Sequence, residues 1–103
     1  MLIFLVGYMG CGKSTLGREM ARRLGYEFVD TDNFIEEQQG KKISAIFAEE
    51  GEDYFRKLER EAVKSLKGRD NVIVSTGGGL PCFNGNMELM NEMGFTVFIK
   101  LDP

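Results

Sequence analysis

Nine consecutive residues, Gly7-Tyr8-Met9-Gly10-Cys11-Gly12-Lys13-Ser14-Thr15, fit the pattern G-x-x-x-x-G-K-[ST], whose backbone amides wrap phosphate. Glycines at 7, 10 and 12 let the chain curl so that successive N–H groups point inward at phosphate oxygens. Lys13 is then placed for the β- and γ-oxygens of a nucleoside triphosphate, and the Ser14 hydroxyl for Mg2+. At average residue usage the fixed positions coincide about once per 27,000 positions, so chance is a poor explanation.

Three further groups have chemistry to offer. Asp30 and Asp32 flank Thr31. Either carboxylate suits a hard cation, held through its waters, and the other suits the hydroxyl of a phosphoryl acceptor, whose proton it can take. Each also has a plain structural role open to it, in a turn or, for Asp32, as the cap of a following helix. Arg56 has the planar fork that clamps a carboxylate, or it pairs three residues along a helix with Glu59. Gly77-Gly78-Gly79 is either a pliant turn or a stretch of bare backbone against which a small ligand can lie.

The elements that must position these groups follow from hydrophobic patterning. Leu2 to Val6 is a continuous apolar run, as in a parallel strand covered on both faces. Leu16, Met20 and Leu24 recur at helical spacing, with Gly17 and Ala21 small enough for close approach to a sheet, and Gly25 stands where the helix should stop. Tyr26 to Val29 reads as a second strand. A helix is expected through Phe34 to Gln39, closed by Gly40, then a short one from Ile43 to Ala48. Phe55, Leu58, Ala62 and Leu66 mark the inner stripe of a longer helix running from Gly51 to about Lys67. Val72 to Ser75 is a third strand. Asn84 to Met93 is a helix with Leu89, Met90 and Met93 inward, and Phe95 to Ile99 is a fourth strand. Alternation of strands and helices predicts an α/β fold, a parallel sheet flanked by helices in three layers. In such sheets ligands gather at the carboxyl ends of the strands, where all the glycine-rich and acidic segments fall.

Composition narrows the function. The 103 residues suit one core domain; 43% are hydrophobic and 28% charged. Net charge is −3 without a basic run, which argues against nucleic acid as a partner, and no apolar stretch has membrane-spanning length. A cytoplasmic setting is expected, in which Cys11 and Cys82 stay unpaired. There is no histidine, so Ser-His and Cys-His catalysis and His-ligated metals are excluded and a general base is most plausibly a carboxylate.

Taken in order, the phosphate loop, Asp30-Thr31-Asp32, Phe47, Glu50-Gly51, Phe55-Arg56 with Glu59, and Thr76-Gly77-Gly78-Gly79 resemble the shikimate kinase family along the whole chain. The resemblance implies a nucleoside monophosphate kinase-like fold and ATP-dependent phosphorylation of the 3-hydroxyl of shikimate, a step towards aromatic amino acids. It implies that Gly10, Cys11, Gly12, Lys13, Ser14 and Thr15 contact ATP, with Lys13 on the transferred phosphoryl and Ser14 and Asp30 on the Mg2+ side. Asp32 corresponds to the shikimate-binding base, Arg56 to the carboxylate clamp, and Gly77, Gly78 and Gly79 to the backbone that holds the substrate. Phe47 and Phe55 correspond to apolar walls.

In that family a lid with a phosphate-contacting arginine, another arginine for the substrate carboxylate, a fifth strand and an adenine-holding loop come later than Pro103. Residues 1–103 are therefore expected to be the amino-terminal part of a longer kinase domain, monomeric when intact, with an apolar fourth strand open to association when not. Two other readings remain: a different small-molecule kinase built on the same loop, and a nucleotide-binding module without turnover.

Overall fold

The computed structural model describes residues 1–7, 13–77, 80 and 85–99, with Lys13 described by its backbone alone. Of the sequence candidates, Gly10, Cys11, Gly12, Gly78, Gly79, Cys82 and the Lys13 side chain lie outside the described residues.

The chain runs β1 (Leu2–Gly7), α1 (Lys13–Leu24), β2 (Glu27–Asp30), α2 (Thr31–Gln39), α3 (Ile43–Glu50), α4 (Glu52–Ser65), β3 (Val72–Ser75), α5 (Asn86–Met93) and β4 (Phe95–Ile99). The strands form one parallel four-stranded sheet in the order β2-β3-β1-β4. β1 is central because its apolar run has two faces to bury. Leu2, Phe4 and Val6 join Val72, Val74, Val63, Leu66, Leu80 and Met90 under α4 and α5. Leu5 joins Ile73, Ile99 and Ala21 under α1. A third cluster, Ile35, Ile46, Phe55 and Ala62, welds α2 and α3 to α4.

Strand order locates the ligand crevice. From β1 the chain crosses to β2 on one side, whereas from β3 it crosses to β4 on the other. The reversal falls between the carboxyl ends of β1 and β3, where α/β sheets bind ligands.

Two details differ from the sequence reading. Leu16 and Leu24 are exposed, and the side of α1 turned to the sheet is formed by Gly17, Ala21 and the half-buried Met20. The small residues win because the helix lies too close for leucine: a methyl on Gly17 would meet Phe28 Cε1 at 2.6 Å. The second difference is at α2, which begins directly after β2. Its cap is Asp30, not Asp32: Asp30 Oδ1 accepts from the backbone N–H of Asp32 (2.9 Å) and Asn33 (3.2 Å). Gly40 in the left-handed region closes α2 as expected.

β4 occupies an edge, with Phe95, Val97 and Phe98 exposed. It is entered through Gly94, where a methyl would fall 2.2 Å from the Leu2 carbonyl oxygen, a backbone atom that cannot swing aside. Gly94→Ala is therefore expected to destabilise the protein by about 1–3 kcal/mol or more, lowering the thermal midpoint by several degrees. Urea and thermal unfolding check this, and an unchanged midpoint would mean that β4 is seated differently.

Candidate active site

The carboxyl ends of β1, β2 and β3 carry the polar residues, and each is held by a partner on another element. α1 starts at Lys13, so Ser14 lies in its first turn, where the helix amides add partial positive charge to an anion site. The Ser14 hydroxyl donates to Asp30 Oδ2 at 2.9 Å and lies 3.3 Å from Ser75 Oγ at the end of β3. Asp30 thus uses one oxygen to start α2 and the other to tie α2 to the helix of the phosphate loop. Thr15, the next residue of that turn, is exposed.

Asp32 follows in the first turn of α2 and lies against Gly77. A methyl on Gly77 would come within 2.7 Å of Asp32 Oδ1, so no side chain fits there while the carboxylate keeps its place. The Gly77 N–H itself donates to Thr31 Oγ1 at 3.0 Å. On the other side of β3, Thr76 reaches β1: its N–H (3.1 Å) and its hydroxyl (2.8 Å) both donate to the Leu5 carbonyl.

Arg56 is on α4, whose start is set by Gly51. The φ of 88° at Gly51 lets the chain leave α3 and enter α4 without an intervening loop, a conformation that side chains disfavour. Phe47 and Phe55 meet across that corner with ring centroids 4.8 Å apart. Phe55 is nearly fully buried, and the Arg56 guanidinium carbon lies 5.5 Å from its ring centroid. Arg56 Nη1 donates to Glu59 Oε1 at 2.7 Å. Arg56 therefore makes the helical pair, and its largely buried side chain also lies over the Phe55 ring.

Glu59 is the residue the sequence understated. It is 1% exposed, and burial pushes its carboxyl above the ordinary value of 4.5, an effect the hydrogen bond and charge of Arg56 oppose and the charges of Asp32 and Glu52 reinforce. A carboxyl raised in the folded state favours folding below 4.5, and that advantage is lost as pH rises through its raised value. Glu59→Gln removes this slope. Its stability relative to the parent protein is expected to improve as pH rises across that window, which urea midpoints measured over a pH series will show. A constant difference would contradict it.

The oxygens of Ser14, Asp30 and Ser75 make a hard donor group, suited to Mg2+ or Ca2+ and unsuited to soft metals. Among the described residues no group of three or more His, Cys, Asp or Glu side chains could cage a metal alone. A cation here would share its coordination with phosphate and water. Thr31, Ser75 and the burial of Glu59 were not read from the sequence. A hydroxyl residue at each strand end was the available signal for the first two, and nothing short of packing revealed the third.

The shikimate kinase family model matches residues 9–103. The chain belongs to the shikimate kinase family. It is 52% identical over 101 residues to the shikimate kinase of Phocaeicola vulgatus, covering 98% of this chain and 58% of that one. It is 50% identical over 97 residues to that of Persephonella marina, covering 94% of this chain and 59% of the relative. Among solved structures, shikimate kinase from Bacteroides thetaiotaomicron superposes with a TM-score of 0.92 at 51% identity, over 95% of this chain and 56% of that one. Shikimate kinase from Acinetobacter baumannii in complex with shikimate gives 0.93 at 40% identity, over 98% and 56%. The chain thus spans a little more than half the length of these shikimate kinases. Over that span their fold is reproduced, a parallel sheet flanked by helices. Among the described residues no helix is long and apolar enough to cross a membrane.

Proposed function

We propose that the protein to which these residues belong transfers the γ-phosphoryl group of ATP to the 3-hydroxyl of shikimate. Three pairings support the reading: Ser14 on the first turn of α1 is bonded to Asp30, Asp32 is seated on Gly77, and Arg56 is held by Glu59. Three chemical tasks fall to them. The phosphate loop, with Lys13, binds and neutralises the triphosphate. Arg56 is the fork for the ring carboxylate, with Phe47 and Phe55 beside it and the backbone of Gly77, Gly78 and Gly79 supporting the ring. Asp32 accepts the hydroxyl proton as the hydroxyl oxygen bonds to the γ-phosphorus and the bond to the β,γ-bridging oxygen breaks, leaving ADP.

Ser14 and Asp30 are the residues that would hold Mg2+. Because the Ser14 hydrogen is directed at Asp30, a lone pair on its oxygen is left for a cation. When bound, the ion supplies charge neutralisation along the β- and γ-oxygens. The reaction draws on the ATP pool of the cytoplasm, where we place the protein.

The test is coupled ADP release from the full-length protein with and without shikimate, joined to thermal shift. Shikimate with ADP and Mg2+ is expected to raise the midpoint, while AMP or gluconate should not. ATP binding without shikimate-dependent ADP release would replace the kinase reading with that of a nucleotide-binding module.

A further inference from the structure

The β2–β3 ladder ends at the pair Asp30 and Ser75. Past it the two segments part: β2 turns at once into α2, whose first residue is Thr31, while the chain leaving β3 continues through Thr76 to Gly77. A parallel ladder would offer Gly77 N–H a carbonyl of the neighbouring strand, but the Thr31 carbonyl is now turned along the axis of α2. The Thr31 hydroxyl oxygen takes that place, accepting from Gly77 N–H at 3.0 Å. Thr31 is 1% exposed, so water cannot substitute for it. Gly77 is where the Asp32 carboxylate rests, and Asp32 is the next residue after Thr31. Thr76 fastens the same backbone to Leu5 on the opposite side.

We infer that Thr31 is a positioning residue: its side-chain oxygen extends the sheet by one rung and thereby sets the distance between the Asp32 carboxylate and the glycine backbone that receives the acceptor. Serine retains the oxygen, and valine has the same shape without it. The inference rests on the kinase reading for its catalytic consequence, but the hydrogen bond can be tested apart from activity.

The experiment compares Thr31→Val and Thr31→Ser in the full-length protein. In Thr31→Val the Gly77 amide is expected to lose hydrogen-exchange protection by about tenfold or more. Its kcat for shikimate-dependent ADP release should fall by about 10²-fold, the scale of a 1 Å misplacement of a reacting group, with the KM for ATP unchanged. Thr31→Ser should restore both readouts, which a role confined to packing would not allow, since serine lacks the methyl group. If Thr31→Val folds poorly, amide exchange and kinetics of Thr31→Ser against Thr31→Ala give the same contrast. Undiminished Gly77 protection in Thr31→Val, or a serine variant as impaired as the valine one, overturns the inference. Lost protection in a protein that shows no shikimate-dependent turnover would sustain the hydrogen-bond role and defeat the kinase reading instead.

Discussion

Replacing Asp32 with asparagine in the full-length protein is expected to lower shikimate-dependent ADP release by about 10²–10⁴-fold, the usual contribution of a positioned general base. The change keeps the shape of the side chain and one acceptor oxygen, so it still fits against Gly77, but it cannot take the proton. The fold should survive it. Asp30, not Asp32, caps α2, and losing one acidic residue from the first turn costs only about 0.3–1 kcal/mol. Affinity for ATP should be almost unchanged, because the Ser14 hydroxyl is bonded to Asp30 and not to Asp32. Steady-state kinetics together with calorimetry of a non-hydrolysable ATP analogue will separate the two effects. Turnover close to that of the parent protein would remove Asp32 from the proposed role. Gly77→Ala makes a useful companion, since its methyl would push the same carboxylate aside and should depress turnover with little loss of stability.

Arg56 carries the second large effect, and it has two parts. If Arg56 is the fork on the shikimate carboxylate, as proposed, its replacement by lysine loses bidentate geometry and is expected to raise the KM for shikimate by about 30-fold or more, in line with 2–5 kcal/mol for a truncated charge pair. The KM for ATP should be spared. Arg56→Ala adds a structural penalty, for it leaves the buried Glu59 carboxylate without its guanidinium partner at 2.7 Å. Removing one member of such a pair costs about 3–5 kcal/mol. Glu59 can escape part of that cost by taking up a proton, which its raised carboxyl already favours, so the loss should shrink towards acid pH. Adding Glu59→Gln to Arg56→Ala should recover stability without recovering shikimate affinity. If the double variant regained both, Arg56 would be a structural partner only, and the carboxylate clamp would have to be sought elsewhere.

Local chemistry made much of this legible beforehand. β3 and β4 have the expected bounds, and α2 stops at Gly40 because glycine tolerates the left-handed turn there. The apolar run of β1 announced a strand buried on both faces, and the two core clusters around it are the result. The phosphate loop motif is a local device, complete within nine residues, so its reading needed no tertiary information.

The inner side of α1 was misjudged because periodicity reports which residues can be buried, not how near the neighbour lies. At a helix packed on the Phe28 ring, glycine and alanine are selected and the leucines face water. The two aspartates show the same limit. The sequence left either of them free to sit in a turn or to face a ligand and offered only Asp32 as the cap of α2, and these options cost little locally. Contact with other elements decides between them: Ser14 on α1 claims Asp30, and Gly77 after β3 leaves room for Asp32.

By itself, then, the order of residues determined a parallel α/β sheet, a phosphate-loop motif and a short set of polar groups towards its carboxyl edge, since each rests on patterns only a few residues long. Tertiary structure alone decided which partner each aspartate takes, the burial of Glu59 beside Arg56 and the bond from Thr31 to Gly77. These depend on contacts between segments as far as 46 residues apart, which no local propensity encodes.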